Sequence, residues 1–241
     1  LAQIDAAPDR AEYGKIIHNI LDEFNHLHPK ALPADAFAVL QKLGESKFAD
    51  RAIPPGVRAF WQPRFERIAA WFVAAEEERR AAGVKPLAVE GSGRIVVGGL
   101  TLKGRADRID RAADGRYVIV DYKTGGVPSR KTVESGLEPQ LPLIALIAAR
   151  GGFDGLAAGS VGGAAYWKLG GGRGSSGNDE IVFDSMEAMM AEAEDRLGRL
   201  IAHFADPSAA YEAVPKPGRA PRYDDYAHLA RLAEWGRSQE D

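Results

Sequence analysis

The sequence has 241 residues, of which 45% are apolar and 27% charged, and its formal net charge is −3. This balance is typical of a globular domain with enough apolar residues for a core. The absence of cysteine excludes disulfides, thiolate zinc sites, iron–sulfur clusters and cysteine nucleophiles. No stretch reaches the ~20 apolar residues of a membrane span, and the first residues do not resemble a signal peptide.

The overall charge leaves a nucleic-acid partner open. A protein that binds DNA by charge alone is usually basic, so the charge of −3 gives no support. A local groove can nevertheless be basic on a neutral body, and carboxylates that hold a metal lower the net charge. Because the chain starts at Leu1 rather than Met, we expect it to be a piece of a longer protein, although a processed terminus would look the same.

Three helices are predicted in the first third of the chain. Apolar residues at three- and four-residue spacings predict the first over residues 8–28. A short second helix is predicted over residues 35–43, ending at Gly44. The third covers residues 55–82, with an interruption at Pro63 because proline removes a backbone donor and clashes one turn back.

The pattern then changes to an alternation rich in Val, Ile and Leu, which predicts β-strands. Strands are expected near residues 87–91, 93–98, 100–111 and 116–123, with turns at Gly91-Ser92-Gly93 and Asp114-Gly115.

Helices and short strands alternate in the remainder of the chain. The predicted elements are a helix over 138–150 with Pro139 as its first residue, a strand over 164–169, a mobile glycine- and serine-rich loop over 170–178, a short strand over 181–183, an amphipathic helix over 186–205, proline-rich coil over 207–221 and a last helix over 225–237.

The segment 103–124, KGRADRIDRAADGRYVIVDYKT, contains a hairpin whose register decides what its carboxylates can do. With a two-residue loop, Asp107 faces Tyr122 and the two aspartates, Asp107 and Asp121, point to opposite sides of the sheet. With a three-residue loop that ends in a left-handed Gly115, Asp107 lies directly across from Asp121. Paired β-carbons are ~4.5–5.5 Å apart, so the second register lets both carboxylates share a cation. Lys123 projects from the same face as Asp121.

Two adjacent carboxylates repel, and one is driven to bind a proton unless a cation lies between them. Oxygen ligands favour Mg²⁺ or Mn²⁺ over zinc, and such a cation makes water a better nucleophile. Lys123 can then orient or deprotonate that water, or stabilise charge on a phosphate. The pattern thus indicates phosphodiester hydrolysis by Asp107, Asp121 and Lys123.

The alternative is a set of surface salt bridges on a solvated hairpin. Charged neighbours are available for such pairs, namely Arg105, Arg108, Asp110 and Arg111. Against this alternative, residues 118–120 resemble a strand buried on both faces, and Asp121 and Lys123 lie at its end rather than on an exposed edge.

The run GRADRIDRAADGRYVIVDYKTG at 104–125 resembles the core of the PD-(D/E)XK nucleases. It is most similar to their RecB-like group and to the C-terminal nuclease domains of AddB subunits of alphaproteobacterial type. QLPLI at 140–144 resembles the glutamine motif of that group, and GKIIHNILDEF at 14–24 resembles its GxxxH helix. The closing DDYAHLARLAEW at 224–235 is also similar, so the resemblance covers nearly the whole chain.

The resemblance implies roles for further residues beside the acidic positions Asp107 and Asp121 and the lysine Lys123. His18 would be a metal ligand and Gln140 would contact DNA near the scissile phosphate. Considered alone, His18 is more often a packed core residue, and Gln140 could simply cap its helix. The backbone carbonyl of Tyr122 is a further candidate ligand. Glu90 is equally compatible with an accessory carboxylate and with a structural salt bridge.

Two departures from the family pattern stand out. Ile144 replaces a tyrosine that is common in relatives, which removes any hydroxyl contact there. The four cysteines that hold an iron–sulfur cluster in some relatives are absent, so no iron–sulfur cluster is expected in this chain.

The resemblance implies a restriction-endonuclease-like α/β core, with a small mixed β-sheet flanked by helices and helical extensions at both ends. We expect a single nuclease domain over residues 1–241. Its parts would be a helical region with the His motif (1–85), the catalytic core (86–185) and C-terminal helices (186–241).

The implied activity is that of a Mg²⁺- or Mn²⁺-dependent exonuclease that cuts a single DNA strand emerging from unwound duplex during double-strand break resection. Its partner would be an AddA-type helicase–nuclease subunit in the bacterial cytoplasm. No P-loop motif occurs, so no ATP site is expected in this chain. The alternatives are a catalytically silent DNA-binding or scaffold module of the same fold and a stand-alone RecB-like exonuclease.

Overall fold

The computed structural model of this protein describes residues 10–49, 53–174, 177–184 and 186–210. Its helices are α1 (Arg10–Leu27), α2 (Ala36–Ala49), α3 (Pro55–Ala81), α4 (Arg130–Glu134), α5 (Gln140–Ala149) and α6 (Met186–Ala205). Its strands are β1 (Lys85–Val97), β2 (Leu100–Arg111), β3 (Tyr117–Lys123), β4 (Val161–Leu169) and β5 (Asn178–Phe183).

The five strands form one mixed sheet in the order β1-β2-β3-β4-β5. Strands β3 and β4 pair in parallel, and the other neighbouring pairs are antiparallel. The connection between the parallel strands contains α5, as a parallel pair requires a crossover. This arrangement confirms the predicted α/β class with a small mixed sheet flanked by helices.

Two hydrophobic clusters cover opposite faces of the sheet. One joins α1, α2 and α3 to side chains of β3 and β4 such as Val120 and Trp167. The other joins α5 to side chains such as Ile109 and Ile119. Alternate residues of β3 therefore enter different clusters, and this explains why 118–120 resembles a strand buried on both faces.

The hairpin between β2 and β3 has the three-residue loop that one of the two predicted registers requires. Arg108 pairs with Val120 and Arg111 with Tyr117, the N–H of Ala112 donates to the carbonyl of Arg116, and Gly115 has a φ of 86°. The paired residue numbers therefore sum to 228, which confirms this register.

Helix α2 does not end at Gly44 as predicted but continues to Ala49. A β-carbon on Gly44 would lie 2.1 Å from the Phe65 ring. The glycine therefore allows α2 and α3 to pack closely, and it does not terminate the helix.

Helix α3 is likewise continuous through Pro63, where an interruption was predicted. Pro63 removes one backbone donor, but Pro63 and Ala59 are both exposed, so water can bond the carbonyl freed one turn earlier.

The predicted turn at residues 91–93 is also wrong, because β1 is one strand from Lys85 to Val97. A β-carbon on Gly93 would lie 2.7 Å from both Ile147 and Phe153. The glycine serves close packing on α5, and the chain reverses instead at Gly98 and Gly99, which both have positive φ.

Smaller differences lie in the second half of the chain. Pro139 is the N-cap of α5 rather than its first residue, and the short helix α4 was not predicted. Strands β4 and β5 begin three residues earlier than expected. The carbonyls of Gly170 and Gly171, in the glycine-rich loop, accept hydrogen bonds from α3.

The chain divides into two compact units, residues 1–199 and 200–241. In the second, the described residues are the last turns of α6 and a short turn in which Ser208 donates to Asp206. The predicted helix over 225–237 lies outside the described residues, as does most of the coil predicted over 207–221. Among the described residues, no helix combines the length and apolarity needed to cross a membrane.

Candidate metal centre

Helix α1 brings His18 to the sheet through a close approach at Gly14. A β-carbon on Gly14 would lie 2.8 Å from Oγ1 of Thr124, which directly follows β3. His18 is one turn further along the same face of α1. The glycine of the GxxxH segment therefore sets how closely the histidine can approach the end of β3.

His18 meets two carboxylates from neighbouring strands. Its Nδ1 lies 3.6 Å from Oδ1 of Asp107 and 3.9 Å from Oε1 of Glu90. One ligand atom from each of the three residues lies within 4.8 Å of the other two. An imidazole and two carboxylates in this arrangement have the donor atoms to hold a divalent cation. We refer to His18, Glu90 and Asp107 as the ligand cluster.

Glu90 reaches the ligand cluster from a strained backbone. Its φ is 53°, and among the described residues it is the one non-glycine residue with a positive φ. A left-handed conformation typically destabilises such a residue by ~1–2 kcal/mol. Strain of this kind is frequent where a side chain is held for function. Oε2 of Glu90 also lies 2.5 Å from Nη2 of Arg105, so Glu90 combines the cluster position and the salt bridge that sequence alone left as alternatives.

Asp107 occupies an irregular step in β2. The ladder between β2 and β3 ends at Arg108 and Val120, one pair short of the predicted contact between Asp107 and Asp121. Residues three apart in a regular strand face opposite sides, yet Ala106 and Ile109 both pack in the cluster around α5. The alternation of side chains is therefore broken at Asp107 and Arg108. The Asp107 carboxylate turns to the end of β3, where Oδ2 accepts the N–H of Tyr122 at 2.8 Å.

Asp121, Lys123 and Gln140 form a second group, which we call the β3 triad. Lys123 Nζ lies 2.6 Å from Oδ2 of Asp121 and donates to Oε1 of Gln140 at 3.0 Å. Nε2 of Gln140 donates to Oδ1 of Asp121 at 2.6 Å. Asp121 and Lys123 share a face of β3 as expected, and Gln140 reaches them from the first residue of α5.

The buried Asp121 carboxylate has one oxygen without a well-aligned hydrogen bond. The ammonium of Lys123 is close to Oδ2, but the contact lacks hydrogen-bond geometry. This oxygen is therefore paired with a cation mainly by charge, and a carboxylate oxygen in this position also suits a hard metal ion.

The charges of the ligand cluster and the β3 triad influence each other. Burial opposes protonation of His18, but hydrogen bonding and charge from Asp107 and Glu90 raise the pKa of His18 to about 9. Burial and the negative charge of Asp107 raise the pKa of Asp121 to about 6, against the opposing effect of Lys123. The site therefore attracts protons, as expected where carboxylates lie together without a cation.

The structure therefore brings the candidate residues from the sequence together in two adjoining groups. The Tyr122 side chain is buried with its ring 5.7 Å from that of His18, while its N–H binds Asp107. Ile144 is buried in the hydrophobic cluster around α5.

Four residues near the ligand cluster were missed from the sequence, and they line a cleft of about 370 Å³ with it: Arg10, Lys15, Asn19 and Thr124. Arg105 lines the same cleft, although it was predicted only as a salt-bridge candidate. The helical spacing of Arg10, Gly14, Lys15 and His18 was a usable signal, because residues three or four apart share one face.

A model of the PD-(D/E)XK nuclease superfamily matches residues 1–227. The chain belongs to this superfamily. The predicted resemblance is confirmed at that level, and the similarity to the RecB-like group and to AddB stays a prediction. Belonging to the superfamily also agrees with the mixed sheet and its flanking helices.

Among curated proteins, this superfamily member is similar to several that are described as uncharacterized. Those from Rickettsia bellii (strain RML369-C) and Rickettsia typhi (strain ATCC VR-144 / Wilmington) are 28% identical to it over 150 and 155 residues. One from Rickettsia felis (strain ATCC VR-1525 / URRWXCal2) is 29% identical over 155 residues. Each match covers 61% of this chain and 18% of the relative, so the chain matches less than a fifth of the relatives' length.

A solved structure titled "Crystal structure of SSO0001" aligns with 86% of this chain and 98% of its own length at 14% identity. Its TM-score of 0.29 is too low for any further comparison.

Proposed function

We propose that this chain is a metal-dependent deoxyribonuclease that hydrolyses phosphodiester bonds. The observation that carries this proposal is the ligand cluster, whose donor atoms lie within 4.8 Å of one another beside the lysine of the β3 triad. Membership of a nuclease superfamily supports the same chemistry. The cations Arg10, Lys15 and Arg105 line the cleft, where they can hold phosphate groups.

The residues fit Mg²⁺ or Mn²⁺ better than zinc, because carboxylate oxygens dominate the donor set and cysteine is absent. We assign His18, Asp107 and Asp121 as ligands, with Glu90 as an accessory carboxylate and the Tyr122 carbonyl as a further donor. A bound divalent cation supplies charge that polarises the phosphodiester and makes water a better nucleophile.

The side chains of the β3 triad position the reacting groups. In the proposed reaction, water attacks phosphorus, one P–O bond breaks and the departing oxygen takes up a proton. Lys123 Nζ, oriented by Gln140 and Asp121, donates a hydrogen bond to the attacking water or to a phosphate oxygen. Gln140 fixes Asp121 and Lys123 through both ends of its amide and extends from an exposed position at the start of α5.

We further propose the finer role that the motif resemblance implies. The chain would act as an exonuclease on a single strand released from unwound duplex, in the manner of the C-terminal domain of AddB during double-strand break resection. Its partner would be an AddA-type helicase–nuclease subunit, which would supply the ATP-driven steps. Residues 1–85 would then carry the histidine motif, 86–185 the catalytic core and 186–241 the C-terminal helices.

Digestion of a 5′-labelled single-stranded DNA with Mg²⁺ or Mn²⁺ tests the activity. We expect Asp121→Asn and Lys123→Met each to lower the cleavage rate roughly 10²–10³-fold, the usual effect of removing one charge-stabilising group. A covalently closed single-stranded circle tests the mode of cleavage, because an exonuclease leaves the circle intact.

Two matched substitutions serve as controls. Asp195→Asn and Lys42→Met make the same chemical changes at exposed positions on α6 and α2, so they should leave cleavage unchanged. Equal digestion by all variants would reject the β3 triad as the catalytic site. An unaltered chain that binds Mn²⁺ and DNA without cutting would instead support the silent scaffold, which has lost catalysis but not binding.

The proposed complex has its own test. Copurification of the full-length protein with an AddA-type helicase from the same cells is expected, and resection of duplex ends should then depend on ATP. Full nuclease activity on duplex ends without any helicase subunit would favour the stand-alone exonuclease.

A further inference from the structure

Strands β1 and β2 continue beyond the ligand cluster as a two-stranded ribbon that reverses at Gly98 and Gly99. One face of this ribbon packs on α5, because β-carbons on Gly93 and Gly104 would lie 2.7 Å and 2.6 Å from Ile147 and Ile144. Side chains alternate along each strand, so the residues next to these glycines point to the opposite side of the ribbon. This opposite side, which we call the ribbon face, consists of Ser92, Arg94, Val96, Thr101, Lys103 and Arg105.

All six residues of the ribbon face are exposed. Arg94 lies directly across from Lys103 in the ladder, and neither forms an ion pair within the described part of the chain. Like charges directly opposite each other destabilise a β-ladder. An anion lying over both side chains would remove this repulsion.

Arg105 connects the ribbon face to the ligand cluster. Its guanidinium binds Glu90 at 2.5 Å, although its side chain remains 65% exposed. It lines the cleft of about 370 Å³ that contains His18 and Asp107, and it also lines a neighbouring cleft of about 550 Å³. The second cleft contains Arg94 and Lys103, so cations continue from the ligand cluster along the ribbon.

The second cleft is lined by small residues and by three cations, with one carboxylate among them. Side chains are small or absent at Ser92, Gly93 and Gly104, and Asp154 is the acidic residue among those that line it. From Asp107 to Lys103 the strand rises ~13 Å, which corresponds to about four nucleotides of a stacked single strand at ~3.4 Å each.

We propose that the ribbon face binds the phosphate backbone of single-stranded DNA and guides it past the ligand cluster. This inference rests on the proposed nuclease function, because a phosphodiester at the cluster continues naturally into phosphates along the ribbon. Regularly spaced cations beside a phosphodiester site favour a nucleic-acid strand over an acidic peptide, because a peptide offers no phosphodiester for that site to hydrolyse.

The decisive experiment compares the unaltered chain with Arg94→Ala/Lys103→Ala. The control Lys30→Ala/Lys42→Ala removes the same charge from exposed positions elsewhere. Binding of fluorescent dT20 is measured by anisotropy with Ca²⁺ in place of Mg²⁺, over a series of salt concentrations. Each phosphate contact to a single strand contributes ~0.7 to the salt slope, so the slope should fall by about 1.4 in the ribbon variant and stay unchanged in the control.

A short substrate separates this inference from the proposed function. Hydrolysis of thymidine 5′-(p-nitrophenyl) phosphate with Mn²⁺ involves no strand long enough to reach the ribbon, so the ribbon variant should keep its kcat. Its kcat/KM on dT20 should fall at least tenfold. If the unaltered chain cuts neither substrate, the nuclease proposal fails while the binding comparison still reports on the ribbon.

The inference is overturned if the ribbon variant binds dT20 with the affinity and salt slope of the unaltered chain. It is also overturned if polyglutamate of matched length competes as well as unlabelled dT20. Folding is checked by thermal unfolding, and removal of the opposed cations should leave Tm equal or higher. Arg94→Gln/Lys103→Gln, which keeps polar side chains at both positions but removes their charge, should reproduce the loss of binding.

Discussion

Asp107 and Arg108 are neighbours in β2, yet their side chains enter two charge clusters of opposite character. Arg108 is fully buried and donates to Glu76 and Asp110 at 2.5 and 2.6 Å. Arg80 and Arg79 donate to the remaining oxygens of the same two carboxylates. Every carboxylate oxygen of that network therefore has an arginine partner.

The ligand cluster and the β3 triad lack this closure. Asp107 binds a backbone amide and lies 3.6 Å from His18, and Oδ2 of Asp121 accepts no aligned hydrogen bond. The pKa values of His18 and Asp121 are raised accordingly. Removing a partner from a closed buried network destabilises a fold, whereas acids without an arginine partner, such as Asp107 and Asp121, are suited to an external cation.

The largest expected effect comes from breaking the closed network. Arg108→Met leaves Glu76 and Asp110 as buried acids without their shared partner, which typically destabilises a fold by about 3–5 kcal/mol. Urea unfolding without metal measures the change. Arg116→Met, which breaks the exposed pair with Asp114, should change the free energy of unfolding by less than about 1 kcal/mol. Similar small effects of both substitutions would contradict the contrast between closed and open clusters.

Substitutions at two glycines should separate an effect on stability from an effect on metal binding. Gly44→Ala places a methyl group against the Phe65 ring and should destabilise the fold by about 1–3 kcal/mol, as overpacking usually does. Mn²⁺ affinity should stay unchanged, because the nearest atoms to a β-carbon on Gly44 belong to the Phe65 ring and not to a residue of the ligand cluster. Gly14→Ala should alter stability less, since the new methyl group meets one hydroxyl rather than a ring. Where α1 moves to relieve this contact, His18 moves with it, so Mn²⁺ binding should weaken. Calorimetric titration with Mn²⁺ distinguishes them, and an unchanged affinity in Gly14→Ala would reject this role of Gly14.

Two substitutions of Glu90 provide a sharper comparison within the ligand cluster. Glu90→Gly and Glu90→Ala both remove the carboxylate, but only glycine relieves the positive φ. In EDTA, the glycine variant should be about 1 kcal/mol more stable than the alanine variant, as measured by urea unfolding. Both should bind Mn²⁺ more weakly than the unaltered chain. If Glu90 is only a salt-bridge partner of Arg105, the two variants will keep full affinity.

The smallest effect is a pH dependence of the metal-free protein. The pKa of Asp121 is raised to about 6, so its contribution to stability is present below pH 3.8 and is lost as pH rises through 6. The pKa of His18 is raised to about 9, so its contribution is complete below pH 6.5 and is lost as pH rises through 9. In EDTA, Asp121→Asn should therefore flatten the fall in Tm between pH 4 and 6, a change of a few degrees.

Metal should reverse this trend, because a cation competes with protons at the same groups. With Mn²⁺ present, we expect Tm to rise between pH 5.5 and 8 in the unaltered chain but not in Asp121→Asn. An identical pH profile with EDTA and with Mn²⁺ would show that no metal binds at these carboxylates.

Local chemistry made several features predictable. The Asp114-Gly115 turn and the alternation that flanks it limited β2 and β3 to two registers, and the structure has the one with the three-residue loop. The approach of Asp121, Lys123 and Gln140 follows in turn, because two of them share a strand face and the third starts the helix behind it. Their catalytic roles stay predictions.

Long-range packing accounts for the errors. Gly44 and Gly93 were interpreted as a helix end and a turn. In the structure, the space where each would carry a β-carbon is filled by a side chain from an element distant in sequence. The same limit applies to Glu90, whose partners His18 and Arg105 come from α1 and β2. The slip in alternation at Asp107 depends on the opposite strand, and nothing in the residues of β2 alone announces it.

Strand β1 is thirteen residues long and lies at one edge of the sheet. A long edge strand is a template for pairing with another chain and hence for aggregation. Here the register shift beside Pro86, the left-handed Glu90 and the bridge from Gly93 to Phe153 interrupt the free edge. The irregular backbone that presents a carboxylate to the ligand cluster therefore also protects the protein against self-association through this strand.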